Sequence, residues 1–281
     1  MNSVEQRCDG NDLCYFSPDN GVLSVPQRRW KEAQRAEERH WAHASDHEDG
    51  WKHHARGFAS YTAVNRERTR TWIEIGCGPF TQTAYILQLR QDIVPYLKDL
   101  TLSDPNIENY KKNVPACGYR SGKLGGIPVE TIAAPNEKLI RVRRTFDTLV
   151  VINVAEHVQD IFLHFEAIYA LLKPGGQLIF SDRAWDNYDP VTHAQNAPLD
   201  VLFHPTRAKS PIFRHFLSLF ETSYCVTTTT PDALSPKAFY FIGYKRSSDS
   251  AKDMNYNCTD ISWADLGKQP GVSDKAAEAQ L

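Results

Sequence analysis

Four polar clusters, each placed where an apolar run ends, carry the chemistry this chain is able to do. In the first, Glu74-Ile75-Gly76-Cys77-Gly78-Pro79, an acid sits inside an apolar run that closes on a Gly-x-Gly turn, and a helix-like stretch from Thr81 to Arg90 follows. Glycines at 76 and 78 let the backbone approach a ligand without a Cβ clash. Strand, exposed turn and helix N-terminus together suit a ligand of adenosine type. Position 81 is Thr, so the third glycine of a dinucleotide fingerprint is missing, and a ligand without a pyrophosphate fits better than NAD. The second cluster is Thr101-Leu102-Ser103-Asp104. An acid at the tip of a second strand can accept both hydroxyls of a ribose, or it can cap the helix that starts near Asn106.

The third cluster follows the apolar run 146–152, where Asn153, Glu156 and His157 stand at the strand's C-terminal edge. The fourth is Lys173-Pro174-Gly175-Gly176, a helix stop and turn, followed by a buried run that ends at Asp182 and Arg183. Ligands of open α/β sheets sit at such edges. A general base contributes ~10²–10⁴-fold when an acceptor must lose a proton, and the candidates for that role are His157 and then His204. His204 lies in the apolar and basic stretch Phe203-His204-Pro205-Thr206-Arg207. Asp182, Arg183, Trp185 and Arg207 are the candidate substrate contacts, the arginines by pairing with an anionic group. Each has an ordinary alternative: helix capping for Glu156 and His157, core packing for Trp185.

The elements that must position these groups alternate along the chain from residue 71. Strands are expected at 71–76, 99–104, 127–133, 146–153, 176–182, 222–230 and 237–245. Helices are expected at 26–45, 80–91, 106–113, 136–143, 157–172 and 211–220. Strands separated by helices imply right-handed crossovers and a mostly parallel sheet. The last two strands are joined only by residues 231–236, which suits an antiparallel hairpin.

Taken together, the four clusters resemble those of the class I S-adenosylmethionine-dependent methyltransferases, in particular the small-molecule, ubiquinone-biosynthesis-type branch. The resemblance spans roughly residues 70–183 plus the terminal hairpin. It implies an α/β, Rossmann-like, seven-stranded, mostly parallel sheet with an antiparallel last strand, here preceded by an N-terminal helical cap. It also implies S-adenosyl-L-methionine as cofactor and methyl transfer to an oxygen or nitrogen of a small acceptor. The cofactor contacts it implies are Glu74, Gly76, Cys77, Gly78 and Gln82 at the glycine turn, and Asp104 and Pro105 at the ribose. Asn136 and Glu137 fall at the adenine, and Asn153 and Val154 after the fourth strand. Phe80 departs from the pattern, standing where a glycine is common, and Pro135 replaces an acid. Two other readings are a catalytically silent cofactor-binding scaffold and a nicotinamide-dependent oxidoreductase. Thr81 and the hairpin count against the latter.

The organisation expected is an extension and helical cap over 1–70, a core over 71–246 with a substrate-side insertion at 183–215, and a mobile polar tail over 247–281. Residues 261–263 are placed to dock locally. A net charge of −2 over 281 residues argues against a nucleic-acid partner held by charge. No 18-residue apolar run is present, so no membrane span is expected. The six cysteines show no tight framework, which favours free thiols and a cytoplasmic location. His40, His43 and His47 share a helix face, but no carboxylate or cysteine completes a site at defined spacing, so no metal is expected there.

Overall fold

The computed structural model describes residues 4–8, 12–189, 202–229, 234–235, 237–246 and 258–268. In chain order these form β1 (Val4–Cys8), β2 (Asp12–Ser17), β3 (Gly21–Ser24), α1 (Gln27–Trp41), α2 (Glu48–Gly57), β4 (Thr71–Ile75), α3 (Gln82–Leu89), β5 (Asp99–Ser103), α4 (Ile107–Asn113), β6 (Lys123–Leu124), β7 (Ile127–Ile132), β8 (Phe146–Ile152), α5 (Ile161–Leu171), β9 (Leu172–Ala184), β10 (Arg207–Ala208), α6 (Ser210–Leu217), β11 (Phe220–Thr229), β12 (Lys237–Lys245) and β13 (Thr259–Ser262). The expected helix at 136–143 is a 3-10 turn, Asn136–Arg141.

The main sheet has nine strands in the order β13-β11-β12-β9-β8-β4-β5-β7-β6. Its seven expected strands are all present. β4 pairs in parallel with β5 and β8, and β8 in parallel with β9, which sets the C-terminal tips of β5, β4, β8 and β9 side by side. β12 runs antiparallel between β9 and β11, as the short link before it requires. Two edge strands extend the expected seven: β6 folds back on β7, and β13 adds in parallel to β11. β13 lies in the segment expected as a mobile tail, and its paired residues Thr259–Ser262 include 261 and 262.

Alternation along the strands divides the core between the two faces of the sheet. Ile73, Leu149, Val151, Phe180, Phe239 and Phe241 pack beneath α5 and α6. Trp72, Val150, Ile179, Tyr240 and Ile242 pack on the other face, with residues of α3 and α4. The Lys-Pro-Gly-Gly stretch is a bulge at the start of β9, where the register with β8 slips between Phe146↔Leu172 and Thr148↔Gln177, and Gly175 takes φ +69°.

Three features differ from the sequence expectations. Residues 1–24 hold β1, β2 and β3, which with β10 form a second, four-stranded antiparallel sheet. α2 was not expected. Cys225 and Cys258 form a disulfide with Cα atoms 4.6 Å apart, so the expectation of free thiols is corrected at these two positions. Cys77 and Cys117 are free and buried. No helix among the described residues is long and apolar enough to cross a membrane.

Candidate active site

The glycine turn after β4 is held from behind. The buried Glu74 carboxylate accepts hydrogen bonds from the Thr81 hydroxyl, from Gln82 N at 2.9 Å and from Thr83 N at 2.8 Å, so it secures the N-terminus of α3. Burial pushes its pKa up, against these hydrogen bonds. Thr81 is the helix N-cap, its hydroxyl accepting from Thr83 N at 3.1 Å, which accounts for a threonine where a dinucleotide fold has glycine. Gly76 (φ +68°) has no room for a side chain, since a Cβ there would lie 2.6 Å from Val154 Cγ2. Gly78 (φ +53°) faces open space instead.

That open space is part of a cavity of about 470 Å³ at the C-terminal tips of the parallel strands. Asp104 enters it from β5. Its Oδ2 accepts from Gly78 N at 3.1 Å and its Oδ1 from Asn106 N at 2.8 Å, so it closes the turn that leads into α4, whose N-cap is Asn106, while facing the cavity. Burial raises its pKa to about 6, with the two backbone hydrogen bonds opposing. Pro105 and Asn136 line the same end, and Asn136 Oδ1 is buried with no hydrogen-bond partner. Glu137 also lines the cavity, but its Oε1 accepts from Gln159 N at 2.6 Å and Asp160 N at 3.0 Å, which fixes the loop before α5.

After β8, Asn153 adopts φ +58°, a left-handed conformation rare outside glycine, and lines the cavity with Val154. The buried Asp182 carboxylate accepts from Val154 N at 3.0 Å and Ala155 N at 2.6 Å, so it shapes this loop. Burial, and then the charge of Glu156, push its pKa up. Glu156 is buried too and gathers Arg183 Nε at 2.7 Å and Trp185 Nε1 at 2.9 Å. Burial would raise its pKa, but His204 and Arg183 beside it hold it below its ordinary value. His157 and Arg183 reach the cavity wall.

Three expected contacts lie behind that wall. His204 is buried, 3.2 Å from Glu156 through Nε2, with its ring edge-on to His157 at a centroid distance of 4.7 Å. Trp185 and Arg207 are fully buried, the Arg207 guanidinium lying over the rings of Tyr188 and Trp185. Neither is among the residues lining the cavity, so direct substrate contact is corrected: Trp185 donates to Glu156, and Arg207 stacks on Trp185 and Tyr188. Their spacing after β9 places them correctly in the chain, but their apolar neighbours draw them inward.

α1 closes the cavity from above. Its stripe Trp30, Gln34, Glu37 and Trp41 faces inward. Trp30 Nε1 and Gln34 Nε2 both donate to the His157 carbonyl at 3.0 Å, and Asn106 Nδ2 donates to the Gln34 carbonyl at 3.2 Å. Phe80 packs edge-on against Trp41 and Trp51, anchoring the two cap helices at the position where the glycine was missing. α2 adds His53 and His54 beside Tyr240, whose hydroxyl lies 2.9 Å from His53 Nε2. Burial lowers His53 to about 4 and His54 to about 3, so this end of the cavity presents neutral imidazoles. Sequence reading missed both because it missed α2; their signal was the pair of histidines following Trp51.

A family model described as a methyltransferase domain matches residues 51–224, more than half of the chain. The chain belongs to this family, with the class I S-adenosylmethionine-dependent fold. Among solved structures, the methyltransferase is similar to the N-methyltransferase NodS from Bradyrhizobium japonicum WM9 in complex with S-adenosylhomocysteine. The TM-score is 0.54 at 15% identity, covering 77% of this chain and 100% of that one. It is also similar to the 1,6-didemethyltoxoflavin-N1-methyltransferase of Burkholderia thailandensis, with a TM-score of 0.52 at 16% identity, covering 86% and 99%. Among curated proteins, no relative matches the methyltransferase. Three observations fit the methyltransferase's cavity to an adenosyl cofactor: the open face of Gly78, the Asp104 carboxylate beside it, and the partnerless Asn136 Oδ1.

Proposed function

We propose that the protein transfers a methyl group from S-adenosylmethionine to an oxygen or nitrogen of a small acceptor. The observation that carries this reading is the placement of Asp104 and Asn136 on one cavity with the glycine turn. Asp104 retains acceptor capacity for ribose hydroxyls beyond its two backbone bonds. Asn136 Oδ1 is an acceptor waiting for an amino group such as that of adenine, because a buried acceptor without a partner is costly. Gly76, Cys77 and Gly78 offer backbone to the amino-acid end, with Gln82, Asn153 and Val154 around it.

When bound, the sulfonium supplies an already activated methyl group. The protein's work is then to align the acceptor in line with it and exclude water. α1 and α2 supply the exclusion, and orientation of this kind lowers barriers by ~7–11 kcal/mol in favourable systems. His157 and Arg183 on the wall are placed to take the acceptor's proton and to hold an anionic substituent. His204 acts from behind. A volume of about 470 Å³ suits a small molecule, as do the two similar small-molecule or N-methyltransferases.

Calorimetry with S-adenosylmethionine and S-adenosylhomocysteine tests the reading, and a folded sample that binds neither ends it. Asp104→Ala should weaken S-adenosylhomocysteine roughly ten- to a hundredfold, the worth of a hydrogen bond to a charged group. The carboxylate form is the one that accepts ribose hydroxyls. Affinity should therefore fall as pH drops through about 6, and Asp104→Asn should flatten that dependence. An affinity independent of pH in the unaltered protein would place the ribose elsewhere. A labelled-methyl screen against candidate metabolites identifies the acceptor.

A further inference from the structure

Glu37 on α1, His157 after β8 and His204 before β10 come from three separate segments. Each nevertheless brings one potential ligand atom within 4.8 Å of the other two. His157 Nδ1 stands 3.4 Å from Glu37 Oε1, and His204 Nε2 stands 3.2 Å from Glu156 Oε1. Neither approach is an aligned hydrogen bond: His157 Nδ1 and Glu156 Oε1 are both buried with no hydrogen-bond partner. Groups that meet at this distance without pointing at one another are arranged as if around a common centre. Tetrahedral ligands bound at about 2.0–2.1 Å stand about 3.3 Å apart, close to the 3.4 Å between His157 Nδ1 and Glu37 Oε1, and His204 has a ligand atom within 4.8 Å of both.

We propose that Glu37, His157 and His204 bind a divalent transition-metal ion of the zinc type, with Glu156 Oε1 beside it. Two imidazoles favour such an ion over magnesium or calcium, which take oxygen ligands. The Glu37 carboxylate is oriented for the task, since its Oε2 accepts from Trp41 Nε1 at 3.0 Å. The nearest opposing charge is Arg183, whose Nη2 lies 3.1 Å from His204 Nδ1 and 3.3 Å from its Nε2, and Glu156 balances it through the 2.7 Å pair with Nε. Glu37 then supplies the anionic ligand. Glu37 and His157 both line the cavity, so the ion's open position would face the acceptor. There it would lower the pKa of a coordinated acceptor group, with His157 serving as ligand in place of base. Ion binding itself does not depend on the methyl-transfer reading.

The test is calorimetric titration of the chelator-treated full-length protein with zinc(II) alone, repeated with cobalt(II) to read its ligand-field absorption. One ion per chain is expected, weakened at least tenfold in Glu37→Gln and in His204→Gln. Full affinity is expected in a His40→Ala, His43→Ala variant, which removes histidines of the cap that lie outside the cluster. Circular dichroism and S-adenosylhomocysteine binding report whether each variant is folded. No binding by the folded protein overturns the proposal. Undiminished binding in both Glu37→Gln and His204→Gln, or loss in the His40, His43 variant, overturns it equally. Should the cluster variants fail to fold, zinc-edge X-ray absorption on the unaltered protein decides. Two imidazoles with oxygen support the site, whereas a sulfur ligand or fewer imidazoles sink it.

Discussion

At the scale of single residues, the chain tolerates polar groups in its interior where they shape the site, and His164 is a buried polar group that does not. His164 on α5 is fully buried with neither ring nitrogen partnered, and burial lowers its pKa to about 3. Below its ordinary value of 6.5 the unfolded chain takes up a proton that the folded chain refuses. Its contribution to stability is therefore whole above pH 6.5 and lost as pH falls. We expect His164→Leu to be more stable than the parent, with the gap widening by ~1.4 kcal/mol per pH unit below 6.5 in denaturant titrations. A constant gap would show that the ring is not buried as described. The cavity residues were readable for a related reason. Gly76, Gly78, Asp104 and Asn153 stand where apolar runs end, and sheet topology brings such ends together. His204, Trp185 and Arg207 were found in the sequence but placed wrongly by a layer, because nothing in their spacing distinguishes the front of a wall from its back. Glu37 was hidden on an amphipathic helix whose partner surface the sequence does not announce.

At the scale of elements, α1 is the piece on which closure depends. It is tied to the β8 edge by the Trp30 and Gln34 bonds to the His157 carbonyl, and to the β5 edge by Asn106. Removing one neutral hydrogen bond costs about 0.5–1.5 kcal/mol. Gln34→Ala should therefore speed S-adenosylhomocysteine release by roughly two- to tenfold in stopped-flow measurements, with the melting temperature nearly unchanged. An unaltered release rate would mean that α1 does not gate the cavity. The core strands and crossover helices were legible to within a few residues, because their apolar runs and periodicity agree with their propensities. β1, β2 and β3 were not: β1 with β2 and β2 with β3 are short local hairpins, but the sheet they join is completed only by the pairing of β3 with β10, far along the chain. A pairing of that separation has no local signature.

At the scale of the whole molecule, the sheet is longer than the seven strands anticipated because β6 folds back on one edge and the far C-terminal segment returns to the other. β13 joins β11 in parallel and the Cys225–Cys258 disulfide fastens the same two segments. Under oxidising, denaturing conditions, thiol titration should find Cys225 and Cys258 blocked and Cys77 and Cys117 reactive. Peptide mapping should recover 225 and 258 linked. Recovery of both as thiols from oxidised protein would remove the cross-link. Reduction should leave S-adenosylhomocysteine binding intact, since neither cysteine lines the cavity.

The position of β12 has a consequence for how the molecule is made. It lies between β9 and β11, and it brings Ala238 and Tyr240 to the cavity. Every other strand whose residues line that cavity is translated before it. A growing polypeptide that has emerged through residue 236 therefore carries the cavity-lining residues at the tips of β4, β5 and β8 with one side of the chamber missing. It also presents the free edge of β9, a surface prone to wrong pairing. Competence to bind should appear late in synthesis and abruptly, when residues 237–245 clear the ribosome, cover the edge of β9 and bring β11 into the sheet with them.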